Sequence, residues 1–317
     1  MSCAAAEMPF AAPLRAVDHV GPLERGTGLR LRAAKRVRVE DPYMVGHFPG
    51  LTMLPAVFLL EGLRQTVARA FDLDVPPEVL RIHSVRLLAP MLDGDDIDFA
   101  VDLRPQPEGN SWELHARCTR SDGTPVAALR LVVGVPGAER HVSAAAAPPE
   151  PTAGVPVIDH VRIRELLPVR HPMLLVDRVD ELDPGRRIVT TKAVTGSEPC
   201  FQALPEGLTA AHYAYPRSLA FESFGQSAAL LWVAGSGTDV PDGVLMLAAI
   251  RGCRFVGDVQ PGESMRHVVR LEHLSAGTCF MSGSIWAGAR CIAEVDSLIA
   301  VNRPRTEVQG AASVAAC

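Results

Sequence analysis

Two apolar stretches dominate the hydrophobic pattern of the chain, and each carries a single acid. Residues 55–71, PAVFLLEGLRQTVARAF, open on Pro55, which suits a first helical position because its missing N–H would be unpaired there anyway. Val57, Phe58, Leu59, Leu60 and Leu63 surround Glu61, and Gln65 shares its helical face four residues on. Residues 216–233 repeat the pattern, with Leu219, Ala220, Phe221, Phe224, Ala228, Ala229, Leu230, Leu231 and Trp232 around Glu222 and with Gln226 four residues later. A helix that is apolar nearly all round belongs inside a protein. A carboxyl group on such a helix is costly unless it is paired or used.

Strand-like stretches flank both helices. One precedes each (about 29–39 and 186–195). The first helix is followed by about 81–89, 96–104, 111–119 and 125–134, the last two separated by the hairpin signal Ser121-Asp122-Gly123. The second is followed by about 247–256, 264–273, 278–286 and 290–301, punctuated by Gly277 and Gly288. One long helix amid antiparallel strands predicts an α+β fold in which a curved sheet wraps a central helix.

The halves repeat one another. Leu29–Pro42 aligns with Arg186–Pro199, which brings Lys35 onto Lys192, the only two lysines of the chain, and Pro42 onto Pro199. Val17-Asp18-His19-Val20 resembles Val176-Asp177-Arg178-Val179. Pro55, Glu61 and Gln65 align with Pro216, Glu222 and Gln226 after four residues inserted in the second copy. Ser84-Val85-Arg86-Leu87 parallels Gly252-Cys253-Arg254-Phe255. Between the copies, residues 136–157 are rich in Ala and Pro with almost no large apolar residue, and read as a semi-extended linker. The expected division is 1–135, linker 136–157 and 158–317.

Composition narrows the class. The 317 residues are 48% hydrophobic and 21% charged with a net charge of −5, so no nucleic-acid or anionic-membrane partner is indicated. The seven cysteines form no CxxC pair, which points to free thiols in a reducing cytoplasm and away from zinc or another metal. No signal peptide and no apolar run of membrane-spanning length are evident.

The turn before the first helix reads His47-Phe48-Pro49-Gly50. This HFPG turn, followed by a Pro-initiated helix with Glu and Gln, resembles the bacterial β-hydroxyacyl-acyl-carrier-protein dehydratases of the hotdog fold. Residues 167–178, LPVRHPMLLVDR, resemble that family's N-terminal signature, and Glu198-Pro199-Cys200-Phe201-Gln202 resembles the segment leading into its catalytic turn. Two such units in one chain imply a double hotdog, a fused pseudo-dimer.

The resemblance also implies a site between units, the His from one and the acid from the other. His47 matches the His. In the second copy Leu204 stands in its place, and His212 comes too late to substitute. The complete pair is then His47 with Glu222, supported by Phe48, Gly50 and Gln226, and Leu204 with Glu61 is a degenerate pseudo-site. The implied reaction is dehydration of 3-hydroxyacyl thioesters to trans-2-enoyl thioesters in fatty-acid or polyketide-type biosynthesis. His47 acts as base, Glu222 as acid, and the Ala56 backbone N–H stabilises the thioester oxygen. No metal or organic cofactor is implied, and the substrate rides on the phosphopantetheine of an acyl carrier protein. The acyl chain is expected in an apolar tunnel along the seam between the two central helices.

Arg64, Arg69, Arg81 and Arg86 are candidates for docking the acidic carrier. A ketosynthase or other pathway enzyme and further homo-oligomerisation are also conceivable partners. The remaining histidines, among them His83, His115, His171, His267 and His273, are expected to be structural or exposed. Two alternatives stand beside the dehydratase: a hotdog hydratase or thioesterase acting on acyl-CoA, and a non-catalytic acyl-binding partner of another dehydratase.

Overall fold

The computed structural model describes residues 10–73, 76–107, 111–135, 156–235 and 243–308. The first half contains β1 (His19–Val20), β2 (Glu24–Arg25), β3 (Leu29–Arg36), α1 (Val57–Phe71), β4 (Glu78–Leu87), β5 (Asp96–Pro105), β6 (Ser111–Arg120) and β7 (Pro125–Gly134). The second contains α2 (His160–Leu166), β8 (Arg178–Asp183), β9 (Arg187–Ala193), α3 (Arg217–Gly235), β10 (Val244–Phe255), β11 (Ser264–Ser275), β12 (Thr278–Ala287) and β13 (Arg290–Arg303). The expected α+β pattern is present, and the long elements fall within a few residues of their expected bounds. The first central helix begins at Val57 rather than Pro55, because Phe58 N–H donates to the Pro55 carbonyl in a tighter entry turn. Ala56 therefore caps the helix instead of lying in its first turn.

The strands form one antiparallel sheet in the order β1-β3-β5-β6-β7-β4-β10-β13-β12-β11-β9-β8, with β2 paired to β3. The order is mirrored about β4 and β10, where Val85 pairs with Ile250 and Ser84 with Arg251. The halves thus share a continuous sheet, and their helices pack against each other inside it. Leu59, Leu60 and Leu63 of α1 and Leu219, Phe221, Phe224 and Leu231 of α3 belong to the same buried core.

The repeat extends to side-chain detail. Lys35 and Lys192 are both buried and each ion-pairs with the acid six residues on, Lys35 to Asp41 at 2.6 Å and Lys192 to Glu198 at 2.5 Å. Asp18 accepts a hydrogen bond from Arg36 N–H, and Asp177 accepts the equivalent one from Ala193 N–H. The expected linker lies outside the described residues apart from Pro156 and Val157. Val157 is already in the second unit, donating its N–H to Val179. Among the described residues no helix is long and apolar enough to cross a membrane.

Candidate active site between the two halves

The HFPG turn is shaped by two left-handed residues, Phe48 (φ 56°) and Gly50 (φ 82°). Just before it, Gly46 is pressed against the other half: its carbonyl accepts from Arg170 N–H at 2.7 Å, and a Cβ at this position would stand 2.2 Å from the Arg170 oxygen. The first half's turn is thereby locked onto the second half's LPVRHP segment. His47 follows at once. Its Nδ1 lies 2.8 Å from the Met53 carbonyl oxygen, and its ring meets Phe48 edge-on at 4.5 Å. A carbonyl only accepts, so Nδ1 carries the proton and Nε2 keeps its lone pair. Burial pushes the imidazole pKa down to about 4, against a smaller upward pull from the Met53 carbonyl.

Glu222 comes from α3 of the other half. Gln226, one turn on, holds it through a fully determined amide. Gln226 Oε1 accepts from Leu175 N–H at 2.8 Å, so Nε2 must be the donor, to Met173 O at 2.7 Å and to Glu222 Oε1 at 3.0 Å. Burial raises the Glu222 carboxyl above the ordinary range, opposed by the Gln226 hydrogen bond.

His47, Phe48, Ala56, Glu222 and Gln226 line one cavity of about 390 Å³. The Ala56 N–H precedes the hydrogen-bond ladder of α1 and has no acceptor in it. The walls are mostly apolar: Val57, Met91, Leu167, Phe221, Trp232, Leu247, Met281 and Leu298. The cavity does not follow the seam between the two central helices, as the sequence led one to expect. Within α1 only Val57 reaches it, whereas α3 gives a whole face and β10, β12 and β13 form the opposite wall. It lies between α3 and these strands, closed on the side of the first half by His47–Phe48 and Leu87–Met91, whereas the corresponding face of α1 is taken up by ion pairs.

Those ion pairs fill the equivalent position in the first half. Glu61 is 1% exposed and receives Arg64 Nη2 at 2.5 Å, Gln65 Nε2 at 2.8 Å and Ser218 Oγ at 3.1 Å. Gln65 repeats the geometry of Gln226, accepting from Ala16 N–H and donating to the Leu14 carbonyl. Arg64 also reaches Glu78 at 2.7 Å and lies 4.7 Å from the Phe10 ring centre. Burial, with the Glu61 charge nearby, raises Glu78 to about 7 despite Arg64. Leu204 and Arg64 border a void of only about 20 Å³ there, with His212 at its rim. Arg64 is thus an interior plug and not a docking residue. Of the other candidates, Arg81 and Arg86 are exposed on β4 and Arg69 is half-buried.

Several contributors carry no signature of their own in the sequence. Met53 acts through its carbonyl and Met173 and Leu175 through their backbone, so residue type reveals nothing. The repeat sets Arg64 opposite Gly225, but the burial of Arg64 against Glu78 and the contact of Gly46 with Arg170 are made only in the fold. His267, buried in β11, donates from Nε2 to Ser223 Oγ at 2.8 Å while Ser223 donates to the Leu175 carbonyl at 2.6 Å, so it is structural in the sense expected.

A FabA-like domain profile matches residues 167–296. The 3-hydroxyacyl-[acyl-carrier-protein] dehydratase FabZ of Variovorax paradoxus (strain S110) is 35% identical over 152 residues, which are 46% of this chain and 95% of that protein. FabZ of Granulibacter bethesdensis is 37% identical over 147 residues, 44% of this chain and 84% of that protein. Among solved structures, the bifunctional dehydratase-cyclase domain of ambruticin biosynthesis superposes with a TM-score of 0.61 at 18% identity, covering 94% of this chain and 98% of that one. The dehydratase domain from the CurJ module of curacin polyketide synthase gives 0.60 at 12% identity, covering 92% and 98%. Both likenesses extend across the two halves, so the fold is a double hotdog. The chain belongs to the FabZ family of 3-hydroxyacyl-[acyl-carrier-protein] dehydratases.

Proposed function

We propose that this chain dehydrates 3-hydroxyacyl thioesters carried on acyl carrier protein to trans-2-enoyl thioesters, in fatty-acid or polyketide-type biosynthesis, at one composite site per chain. The observation that carries the reading is the sharing of a single apolar cavity by His47 and Glu222, from opposite halves, while the equivalent place beside Glu61 is plugged by Arg64.

The chemistry follows from the two environments. Neutral His47 takes the α-proton on Nε2, the nitrogen not engaged by Met53. Charge developing on the thioester oxygen is stabilised by the Ala56 N–H and the start of α1. Protonated Glu222 delivers its proton to the β-hydroxyl, the C–O bond breaks, and water leaves. The resulting imidazolium and carboxylate return to their starting states by a net proton transfer from His47 to Glu222. Gln226 holds the carboxyl group in place throughout. The phosphopantetheine belongs to the substrate, and these steps call on no further cofactor. Exposed Arg303 lines the cavity and supports docking of an acidic carrier at this rim.

The test is mass spectrometry of products from a panel of 3-hydroxyacyl carrier proteins. Loss of one water from the thioester is expected, slowed by about 100-fold or more in His47→Asn and Glu222→Gln. Release of free acid, or turnover of acyl-CoA alone, overturns the reading.

A further inference from the structure

Beside their acids the two central helices differ at the residue before the glutamine. In α1 the order is Glu61, Arg64, Gln65; in α3 it is Glu222, Gly225, Gln226. Each glutamine makes the same contacts in its own half, so the residue before it is a difference the glutamines do not account for. Where that residue is Arg64, a void of about 20 Å³ remains; where it is Gly225, the cavity measures about 390 Å³. A Cβ built on Gly225 meets only Leu298 Cδ1, at 4.0 Å. Nothing in the packing therefore requires glycine there, and glycine inside a helix is unfavourable. The space itself is what the residue provides.

Beyond Gly225 the cavity wall on α3 continues as Ala228, Ala229 and then Trp232, with Leu245, Met281 and Leu298 opposite. These surfaces are apolar and suit an unbranched alkyl chain. From Glu222 to Trp232 the helix rises about 15 Å. An extended alkyl chain, with C–C bonds of about 1.5 Å, covers that distance in roughly a dozen carbons.

We propose that Gly225 is the specificity-determining residue for acyl-chain length: its missing side chain opens the passage from Glu222 toward Trp232 and admits linear chains of up to roughly a dozen carbons. The proposal rests on the dehydratase reading for its substrate, but not for its geometry, and the experiment separates the two.

Wild type, Gly225→Ala and Gly225→Leu are compared on four-, eight- and twelve-carbon 3-hydroxyacyl carrier proteins. In Gly225→Leu, kcat/KM for the twelve-carbon chain relative to the four-carbon chain falls by about 100-fold, with Gly225→Ala intermediate. Binding of butyryl- and dodecanoyl-pantetheine by calorimetry reads the same passage without turnover, and Gly225→Leu weakens only the longer ligand. Equal loss at every length, an unchanged length profile, or dodecanoyl-pantetheine bound equally by wild type and Gly225→Leu, or not at all by wild type, overturns the proposal. Should Gly225→Leu fail to fold, the graded shift in Gly225→Ala decides. A wild type that binds the long ligand selectively but dehydrates nothing refutes the dehydratase reading and leaves the passage standing.

Discussion

His47 Nδ1 and the Met53 carbonyl oxygen are 2.8 Å apart, and this one contact fixes which nitrogen of the ring is free. It also indicates a variant that removes the base and little else. Asparagine places an N–H donor near the position of Nδ1 and has no counterpart of Nε2. His47→Asn should keep the Met53 contact and thermal stability close to wild type while kcat falls by about 10²–10⁴. Single-turnover dehydration alongside a melting curve checks this. Wild-type rates in a folded His47→Asn protein would remove His47 from the chemistry.

The pH profile follows from the same surroundings. Burial holds His47 at about 4, so the base is neutral over the whole range above that value. Glu222 is shifted the other way, upward by burial, and an acid catalyst loses activity as it deprotonates. The expected kcat/KM profile has its acid limb near pH 4, well below an ordinary histidine, and an alkaline limb set by Glu222. In Glu222→Gln the residual activity should lose its alkaline limb and keep the acid one. An acid limb near 6.5 would contradict the buried, neutral imidazole.

Glu61 and Glu222 share a sequence context but should respond oppositely to substitution. Removing the Glu61 charge leaves buried Arg64 with Glu78 as its remaining carboxylate partner. Breaking such a buried pair costs on the order of 3 kcal/mol. Glu61→Gln should therefore lower the urea midpoint markedly while the folded protein keeps kcat within a few-fold. Glu222→Gln should do the reverse, with a small stability change and loss of turnover. A large drop of kcat in stable, folded Glu61→Gln would mean that the first half's acid takes part.

This contrast marks how far the sequence could be read. The apolar runs placed both central helices, and the strict alternation of β5, seen in its burial pattern, made that strand equally plain. The two-residue strands β1 and β2 lie below any periodic signal. Pairing of His47 with Glu222 followed from the resemblance, which implies a His and an acid from different units; with Leu204 in place of the second His, that premise leaves one complete combination. The fate of Arg64 did not follow, since its burial depends on Glu78, fourteen residues on and brought close by the fold. The path of the cavity was misjudged for the same reason: its walls come from segments of both halves that meet only in the fold.

Gly46 offers a test of how the halves hold the turn. A methyl group there would stand 2.2 Å from the Arg170 oxygen, so the turn must move. A shift of about 1 Å near the reacting groups can cost roughly 100-fold in rate. Gly46→Ala should thus lower kcat by that order even where the protein remains folded, because His47 is the next residue. Retained activity would show that the 2.7 Å contact between Gly46 and Arg170 does not position the base.

The two halves carry a swapped pair of neighbours. At equivalent places of the two halves, the first has Gly62 against Phe99, where a Cβ would stand 3.2 Å from the ring, and the second has Ser223 bonded to His267. His267 Nδ1 has no hydrogen-bond partner among the described residues, and burial, with nearby Lys192, lowers its pKa to about 3. An unfolded chain takes up a proton on this residue near pH 6.5, whereas the folded chain does so only near 3. Between those values the unfolded state binds more protons, so stability from this group is complete above about 6.5 and is lost as pH falls. Transplanting the first half's pair as Ser223→Gly/His267→Phe removes that loss. His47 still titrates in both proteins, and the difference between them isolates His267. The double variant should match wild type at pH 7 within about 1 kcal/mol and gain on the order of 2 kcal/mol relative to it near pH 5. Each single variant should be less stable than the double, since one leaves His267 Nε2 without its acceptor and the other crowds Ser223. Urea titrations at the two pH values measure this directly, and parallel wild-type and double-variant curves would show that His267 takes up its proton equally in both states.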